Sequence, residues 1–252
     1  MKETIVFIHG LTGTKRAFRK QIDHFKEDYK VYSYDLIGHG QYIGKNDVEF
    51  TLEQLVKQLE RIFQENGIEK AHLCSLSYGC YPSIIFANKW REKVQSMCCI
   101  GGHYNSPSSL FSVFQDFWDK RSEPYELWLK KYTNAIYPKN RILDPYAIIS
   151  RKVYYQFALD LKPDILINAI EHRLKYDLKN DLKQLQIPIL WVMGDHDPLY
   201  KSCLQELDKI NPQVFYKELK HAGHAANLFR PYCFSSLYEE FLQGIVLDKL
   251  SF

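Results

Sequence analysis

The sequence has no apolar run long enough to cross a membrane and no large excess of charge of either sign. Every apolar stretch falls short of the roughly 20 consecutive residues that a membrane helix requires. The chain has 33 Lys and Arg against 30 Asp and Glu, a net charge of +3 over 252 residues, and its basic residues are scattered. We therefore expect no membrane span and no nucleic-acid partner.

The six cysteines lack the CxxC spacing that is typical of zinc sites. Cys98 and Cys99 are adjacent in a predicted strand, so they are expected to point to opposite faces of a sheet. We predict reduced thiols in a cytoplasmic protein, with no metal and no cofactor. The first apolar stretch is too short for the core of a secretory signal, which favours the same compartment.

Strand patterns alternate with helical patterns along most of the chain. Strands are predicted at 4–9, 30–34, 69–74, 94–100, 187–193 and 213–219. Helices are predicted at 15–25, 52–66, 78–90, 201–210 and 232–247, the second of them capped by Thr51. This alternation predicts an α/β fold, with a predominantly parallel sheet of about six strands and helices on both faces. In such sheets the ligand site lies beyond the carboxyl ends of the strands.

The alternation stops between residues 104 and 180. Aromatic residues and helix-formers are frequent there, prolines interrupt them, and no buried strand pattern occurs. We therefore predict a helical insertion at 104–180, after the fourth strand. The core would then consist of 1–103 and 181–252.

Ser77 lies between the third predicted strand and the helix that follows it. Ser75 stands two residues before it and Gly79 two residues after it. A nucleophile on a sharp strand-to-helix turn has strained backbone angles, and its neighbours at these two positions must be small. We predict Ser77 as the nucleophile. Ser75 is the alternative hydroxyl, but it lacks a glycine two residues later.

An acid and a base are predicted after later strands, in the chain order Ser, Asp, His. Asp197 follows the fifth strand and is favoured as the acid over Asp195. His224 lies in a loop of small residues after the last strand and is favoured as the base over His221. A serine hydroxyl needs an imidazole to accept its proton, and the imidazole needs a carboxylate to orient it. The three residue types together predict serine acyl-transfer chemistry.

Two backbone N–H groups are candidates for an oxyanion hole, which stabilises the charge that develops on the substrate oxygen. One belongs to Tyr78, at the start of the helix after Ser77. The other belongs to Leu11, in the loop after the first strand, where Gly10 permits a close approach. We expect His9 to tether this loop through hydrogen bonds.

Together these segments resemble the α/β-hydrolase superfamily, in the right order and over nearly the whole chain. Segments 7–13, 35–40, 75–79, 194–198 and 222–224 are similar to its oxyanion loop, D-x-x-G-H-G turn, nucleophile elbow, acid loop and histidine loop. Two departures stand out. Ser75 replaces the usual first glycine of the elbow, and the sequence begins at the strand that carries His9. The two N-terminal strands usual in the superfamily are thus expected to be missing, leaving about six.

The resemblance implies a serine hydrolase that cleaves a small carboxylic ester or lactone through an acyl-enzyme on Ser77. The segment around His224 is similar to capped members such as enol-lactonases, C–C bond hydrolases and the menaquinone-pathway lyase that forms a cyclohexadiene carboxylate. In lyase-type members the serine and histidine support proton abstraction without an acyl-enzyme. A lyase, a C–C bond hydrolase and a small-ligand receptor with little activity therefore stay open as alternatives. A haloalkane dehalogenase is disfavoured, because it needs a carboxylate at position 77.

The insertion occupies the place of the superfamily's cap domain, which typically covers the site. Its aromatic residues could form the core of the insertion or line a mostly apolar pocket. The predicted pocket residues are Phe114, Trp118, Trp128 and Tyr155. Four arginines could pair with a substrate carboxylate or be solvated on helix surfaces: Arg121, Arg141, Arg151 and Arg173.

Overall fold

A single six-stranded parallel sheet forms the centre of the protein in the computed structural model, which describes residues 2–44, 49–106, 108–137, 145–197, 199–204 and 206–247. The strands are β1 (Thr4–Ile8), β2 (Lys30–Tyr34), β3 (Ala71–Leu76), β4 (Val94–Ile100), β5 (Ile189–Gly194) and β6 (Val214–Leu219). Their order across the sheet is β2-β1-β3-β4-β5-β6, and every neighbouring pair is parallel. The predicted sheet is confirmed.

Helices connect the strands and cover both faces of the sheet. Those nearest the sheet are α1 (Arg19–Phe25), α2 (Leu52–Glu65), α3 (Cys80–Lys89), α9 (Leu207–Ile210), α10 (Ala226–Phe229) and α11 (Pro231–Leu247). Thr51 caps α2 as predicted, because its hydroxyl accepts a hydrogen bond from the Gln54 N–H at 3.2 Å. The helix predicted at 201–210 is divided: a short 3₁₀ helix at Lys201–Leu204 precedes α9.

Two apolar clusters lie on opposite faces of the sheet, because successive side chains of a strand alternate. In β1, Ile8 belongs to the cluster that α2 and α3 cover, and Phe7 to the cluster that α1 and α11 cover. Cys99 and Cys98 divide between the same two clusters, as predicted. Five cysteines are free thiols. The side chain of Cys203 is outside the described residues.

The described residues between β4 and β5 form helices α4 (Ser108–Asp119), α5 (Tyr125–Ile136), α6 (Pro145–Leu159), α7 (Pro163–Lys175) and α8 (Lys179–Gln184). The first four lie within the predicted insertion. Helix α8 extends across residue 180, where the insertion was predicted to end. Asn88 of α3 donates a hydrogen bond to Asp181 at 3.1 Å, so α8 packs on the core. The division into core and insertion stays a prediction. None of the helices in the described segments is long and apolar enough to span a bilayer.

Candidate active site

Ser77 lies at the turn between β3 and a short 3₁₀ helix at Ser77–Gly79, and its φ is +52°. This left-handed conformation is strained for a residue with a side chain. Gly79 is needed because a Cβ there would lie 2.6 Å from the carbonyl oxygen of His9. Ser75 is buried and shares a 2.5 Å hydrogen bond with the hydroxyl of Ser83. The local geometry is that of the sharp turn predicted from the sequence.

Ser77, His224 and Asp197 form a continuous chain of hydrogen bonds. The Ser77 hydroxyl oxygen lies 2.8 Å from His224 Nε2, and His224 Nδ1 lies 2.7 Å from Asp197 Oδ2. The side chain of Asp197 is fully buried, and its other oxygen accepts the N–H of Leu199 at 2.7 Å. A carboxylate that accepts the Nδ1–H selects the tautomer in which Nε2 accepts the serine proton.

The alternatives weighed from the sequence make other contacts. Asp195 Oδ1 accepts the N–H of Ala222 at 3.2 Å, which ties the loop after β5 to the loop after β6. His221 is exposed and has a φ of +55°. Ser75 is engaged with Ser83, as described above. The structure brings together the three favoured residues and leaves these alternatives outside the hydrogen-bonded chain.

Gly101, directly after β4, allows the backbone of His224 to pack closely against the end of that strand. Its φ is +55°, and a Cβ there would lie 2.4 Å from the carbonyl oxygen of His224 and 3.1 Å from its Nδ1. Only glycine fits this conformation and this space. Sequence reasoning missed this residue, although the Gly101-Gly102 pair at the end of a predicted strand was an available signal.

The loop after β1 packs directly against the turn that carries Ser77. A Cβ on Gly10 would lie 3.0 Å from the Cβ of Ser77 and 2.9 Å from the carbonyl oxygen of Leu76. Leu11 follows Gly10 and borders the same cavity as Ser77. Tyr78 is the second residue of the 3₁₀ helix. Tyr78 follows Ser77 in the chain, and Leu11 follows Gly10, which packs against Ser77. The role of their N–H groups in an oxyanion hole stays a prediction.

Two buried histidines tether this loop to the segment after β2. His9 Nε2 accepts the N–H of Leu36 at 2.9 Å, and its Nδ1 lies 2.8 Å from the carbonyl oxygen of Gly10. His39 Nε2 accepts the N–H of Thr12 at 3.3 Å. Burial lowers the pKa of His9 to about 4 and that of His39 to about 3. Both rings are therefore neutral at pH 7, as a ring nitrogen that accepts an N–H must be.

A cavity of about 1080 Å³ opens beside Ser77 and His224. Most of its lining side chains are apolar, and its volume is suited to an organic ligand of moderate size. The residues between β4 and β5 that line it are Tyr132, Ile136, Tyr137, Ile149, Ser150, Val153, Tyr154, Phe157 and Arg173.

None of the four aromatic residues predicted to bind substrate lines this cavity. Trp128 is buried among the helices, and its indole N–H donates to the carbonyl of Phe117 at 2.9 Å. Phe114 is also buried, against the guanidinium of Arg173. These two side chains therefore belong to the packing between helices.

The other two are half-buried and pack against the edge of the apolar cluster that Trp128 belongs to. Trp118 packs against the Arg121 guanidinium, 4.3 Å from its ring centroid. The Tyr155 hydroxyl donates to Glu126 at 3.3 Å. These placements correct the predicted substrate contacts, because adjacent helical positions point in different directions: Tyr154 lines the cavity and Tyr155 does not.

Of the three arginines considered from the sequence that the structure describes, Arg173 alone lines this cavity. It is buried, and not solvated on a helix surface. Arg121 and Arg151 do not line it, and Arg141 is outside the described residues.

Comparison with known proteins adds a family and several relatives. A family model of the alpha/beta hydrolase fold matches residues 3–165. The 3-oxoadipate enol-lactonase 1 of Acinetobacter baylyi is 25% identical over 247 residues, which cover 96% of this chain and 89% of that protein. Carboxylesterase YbfK of Bacillus subtilis is 22% identical over 250 residues, covering 96% and 80%.

A similar fold is found in the solved structure of a thermophilic esterase from Thermogutta terrifontis with malate bound. The TM-score is 0.78 at 18% sequence identity, and the match covers 97% of this chain and 91% of that one. At this identity the likeness establishes the fold and leaves the substrate open.

Proposed function

The chain belongs to the α/β-hydrolase fold family, and on this basis we propose that it is a serine hydrolase of small carboxylic esters or lactones. The observation that carries the proposal is the hydrogen-bonded chain from Ser77 through His224 to Asp197, at the wall of a mostly apolar cavity. Similarity to an enol-lactonase and to a carboxylesterase supports the same reaction class.

In the proposed acylation step, the Ser77 oxygen attacks the substrate carbonyl while His224 Nε2 accepts the hydroxyl proton. Asp197 stabilises the imidazolium that forms. The backbone N–H groups of Leu11 and Tyr78 donate hydrogen bonds to the developing oxyanion. His224 then gives the proton to the alcohol oxygen as the C–O bond breaks, which leaves an acyl ester on Ser77. The alcohol of an ester departs, and that of a lactone stays attached to the acyl chain.

In the proposed deacylation step, water attacks the acyl ester while His224 accepts a proton from the water. Collapse of the second tetrahedral intermediate releases the carboxylic acid, and the proton on His224 returns to Ser77. We also propose that α4–α7 act as the cap of this site. Cavity-lining side chains such as Val153 and Arg173 on these helices support that role.

Labelling with a fluorophosphonate, followed by peptide mass spectrometry, tests the nucleophile. We expect an adduct on Ser77 in folded protein and none after heat denaturation. Ser75→Ala is the matched control, and it should still be labelled at Ser77. Ser77→Ala should remove both labelling and the hydrolysis of short-chain 4-nitrophenyl esters. Unlabelled Ser77 in folded protein, or undiminished turnover by Ser77→Ala, would reject the proposal.

A second candidate is a lyase or C–C bond hydrolase that uses Ser77 and His224. In the lyase case these residues would abstract a proton without forming an acyl-enzyme. The buried Arg173 in the cavity supports this alternative, because a cation there is suited to a carboxylate such as that of the cyclohexadiene carboxylate formed by the lyase named above. Rapid acid quenching during ester turnover, followed by mass spectrometry of the protein, distinguishes the hydrolase from the lyase. An acyl group on Ser77 supports the hydrolase, and its absence supports the lyase. Saturable binding of esters without turnover would indicate a receptor.

We place this activity in the cytoplasm. The support is the free state of five cysteines, among them the exposed Cys233. Exposed thiols persist in reducing compartments, whereas an oxidising compartment favours disulfides.

A further inference from the structure

Arg173 is a buried cation in the wall of the cavity that contains Ser77. Only 6% of the residue is exposed, and it lies on α7. Its Nε donates to the hydroxyl of Tyr200 at 3.0 Å, and its Nη1 donates to the carbonyl of Ala169 at 3.0 Å. Both acceptors are neutral, so neither balances the charge of the guanidinium.

The described residues provide no carboxylate within ion-pair distance of Arg173, and the ion pairs among them involve other cations. The guanidinium instead lies against the rings of Tyr78 and Phe114, with its Cζ 5.1 and 5.5 Å from their centroids. Arginine stays protonated even when buried. Aromatic faces offset only part of the cost of burying a charge, so an anion would complete this site.

The cation lies close to the reacting groups. Tyr78, which Arg173 contacts, directly follows Ser77 in the chain. Tyr200, which accepts the Nε–H, has its ring centroid 5.9 Å from that of His224. The Tyr200 ring is also stacked on His103, with ring centroids 3.6 Å apart and planes nearly parallel. Arg173 is thus positioned by packed rings between α7 and the hydrogen-bonded chain.

We propose that Arg173 binds a carboxylate of the substrate, so that the protein prefers esters or lactones with an acid group a few bonds from the scissile carbonyl. The proposal rests on the proposed function and specifies its substrate class. The guanidinium fork matches the geometry of a carboxylate. Within the described residues, Nη2 makes no hydrogen bond and Nη1 makes one, so both N–H groups of Nη2 and one of Nη1 remain for the substrate. The apolar wall would contact the intervening carbon chain.

Two chromogenic esters of equal acyl length test this preference: the mono-4-nitrophenyl ester of glutaric acid and 4-nitrophenyl pentanoate. The acyl chain of the first ends in a carboxylate and that of the second in a methyl group. The measured quantity is the ratio of their kcat/KM values. We expect wild type to favour the acidic ester, and Arg173→Met to reduce the ratio on the order of 10²-fold, as for loss of a buried charge pair.

Arg16→Met is the matched control. Arg16 lines the same cavity but is exposed, so its removal tests general attraction of anions. We expect the ratio to change by less than about fivefold in this variant, as for a solvated charge. If Arg173→Met preserves the preference for the acidic ester, the proposal is overturned, whatever the effect of Arg16→Met.

Calorimetric titration of glutarate into Ser77→Ala protein tests the anion site without catalysis. We expect binding that Arg173→Met abolishes and that Arg173→Lys, which keeps the charge but loses the fork, weakens less. If neither ester is hydrolysed but glutarate binding depends on Arg173, the hydrolase proposal fails and the anion site stands. An affinity that neither substitution changes overturns the anion site. Should Arg173→Met not fold, Arg173→Lys decides.

Discussion

At the residue scale, Gly101 illustrates how one position without a side chain holds the proposed base. Gly101→Ala would place a methyl group against the backbone and ring of His224. We expect kcat for a 4-nitrophenyl ester to fall on the order of 10²-fold, because a displacement near 1 Å has this effect on a positioned catalytic group.

Gly67→Ala is the matched control for this prediction. Gly67 has a φ of +59°, close to the +55° of Gly101, but no atom lies within 4 Å of a Cβ built there. Gly67→Ala is expected to lose about 1–2 kcal/mol of unfolding free energy through left-handed strain. Gly101→Ala should lose more, because its Cβ also clashes with the backbone of His224. Urea unfolding measures that loss. Equal kcat values for the two variants would contradict the role of Gly101.

The residues of the candidate site differ in how far sequence predicts them. Ser77, Asp197 and His224 could be predicted because each lies in a short motif directly after a strand. Arg173 could be named but not selected among four arginines, since its burial depends on how α7 packs. The four aromatic residues predicted to bind substrate do not line the cavity for a related reason: periodicity cannot identify which side of a helix borders a cavity.

At the element scale, helix α7 contacts the turn that carries Ser77. The Tyr78 hydroxyl lies 2.5 Å from His172 Nδ1, and the Tyr78 ring is stacked 5.6 Å from both Phe50 and Tyr81. Burial lowers the pKa of His172 to about 4, so its ring is neutral at pH 7 and Nδ1 accepts a hydrogen bond from the Tyr78 hydroxyl. Helix α7 therefore positions the residue whose N–H is a candidate oxyanion donor.

A double-mutant cycle tests this coupling. Tyr78→Phe and His172→Phe each remove one partner of the hydrogen bond. We expect each to lower kcat about fivefold, the equivalent of a hydrogen bond of about 1 kcal/mol, with little change in KM. The double variant should be no worse than either single one. Losses that multiply would show that the two residues act independently.

The strands could be predicted most clearly in the centre of the sheet. β1, β3, β4 and β5 are almost entirely buried, whereas most residues of the edge strands β2 and β6 are half-buried or exposed. The observed bounds of all six lie close to the predicted ones. The exceptions are local. One helix is predicted at 201–210, but the structure has a 3₁₀ helix followed by α9 there. In such short runs, apolar spacing does not distinguish a 3₁₀ helix from an α-helix. Helix α8 crosses the predicted boundary at 180 because it packs on α3 through Asn88 and Asp181.

At the scale of the whole molecule, buried neutral histidines make stability depend on pH. Burial depresses the pKa of His9 to about 4 and of His39 to about 3, and the nearby Asp35 offsets this only in part. Burial also holds the pKa of His103 well below its usual range. In the unfolded chain these groups titrate near pH 6.5. Between pH 6.5 and about 4 the unfolded state binds more protons, so stability decreases as pH falls.

Urea unfolding between pH 7.5 and pH 5 measures this dependence. His9 and His39 should each lower the unfolding free energy by about 2 kcal/mol at pH 5. In His39→Gln, whose amide oxygen can still accept the Thr12 N–H, the slope below pH 6.5 should decrease by about 1.4 kcal/mol per pH unit. A slope in His39→Gln as steep as in wild type would show that His39 does not stay neutral in the fold.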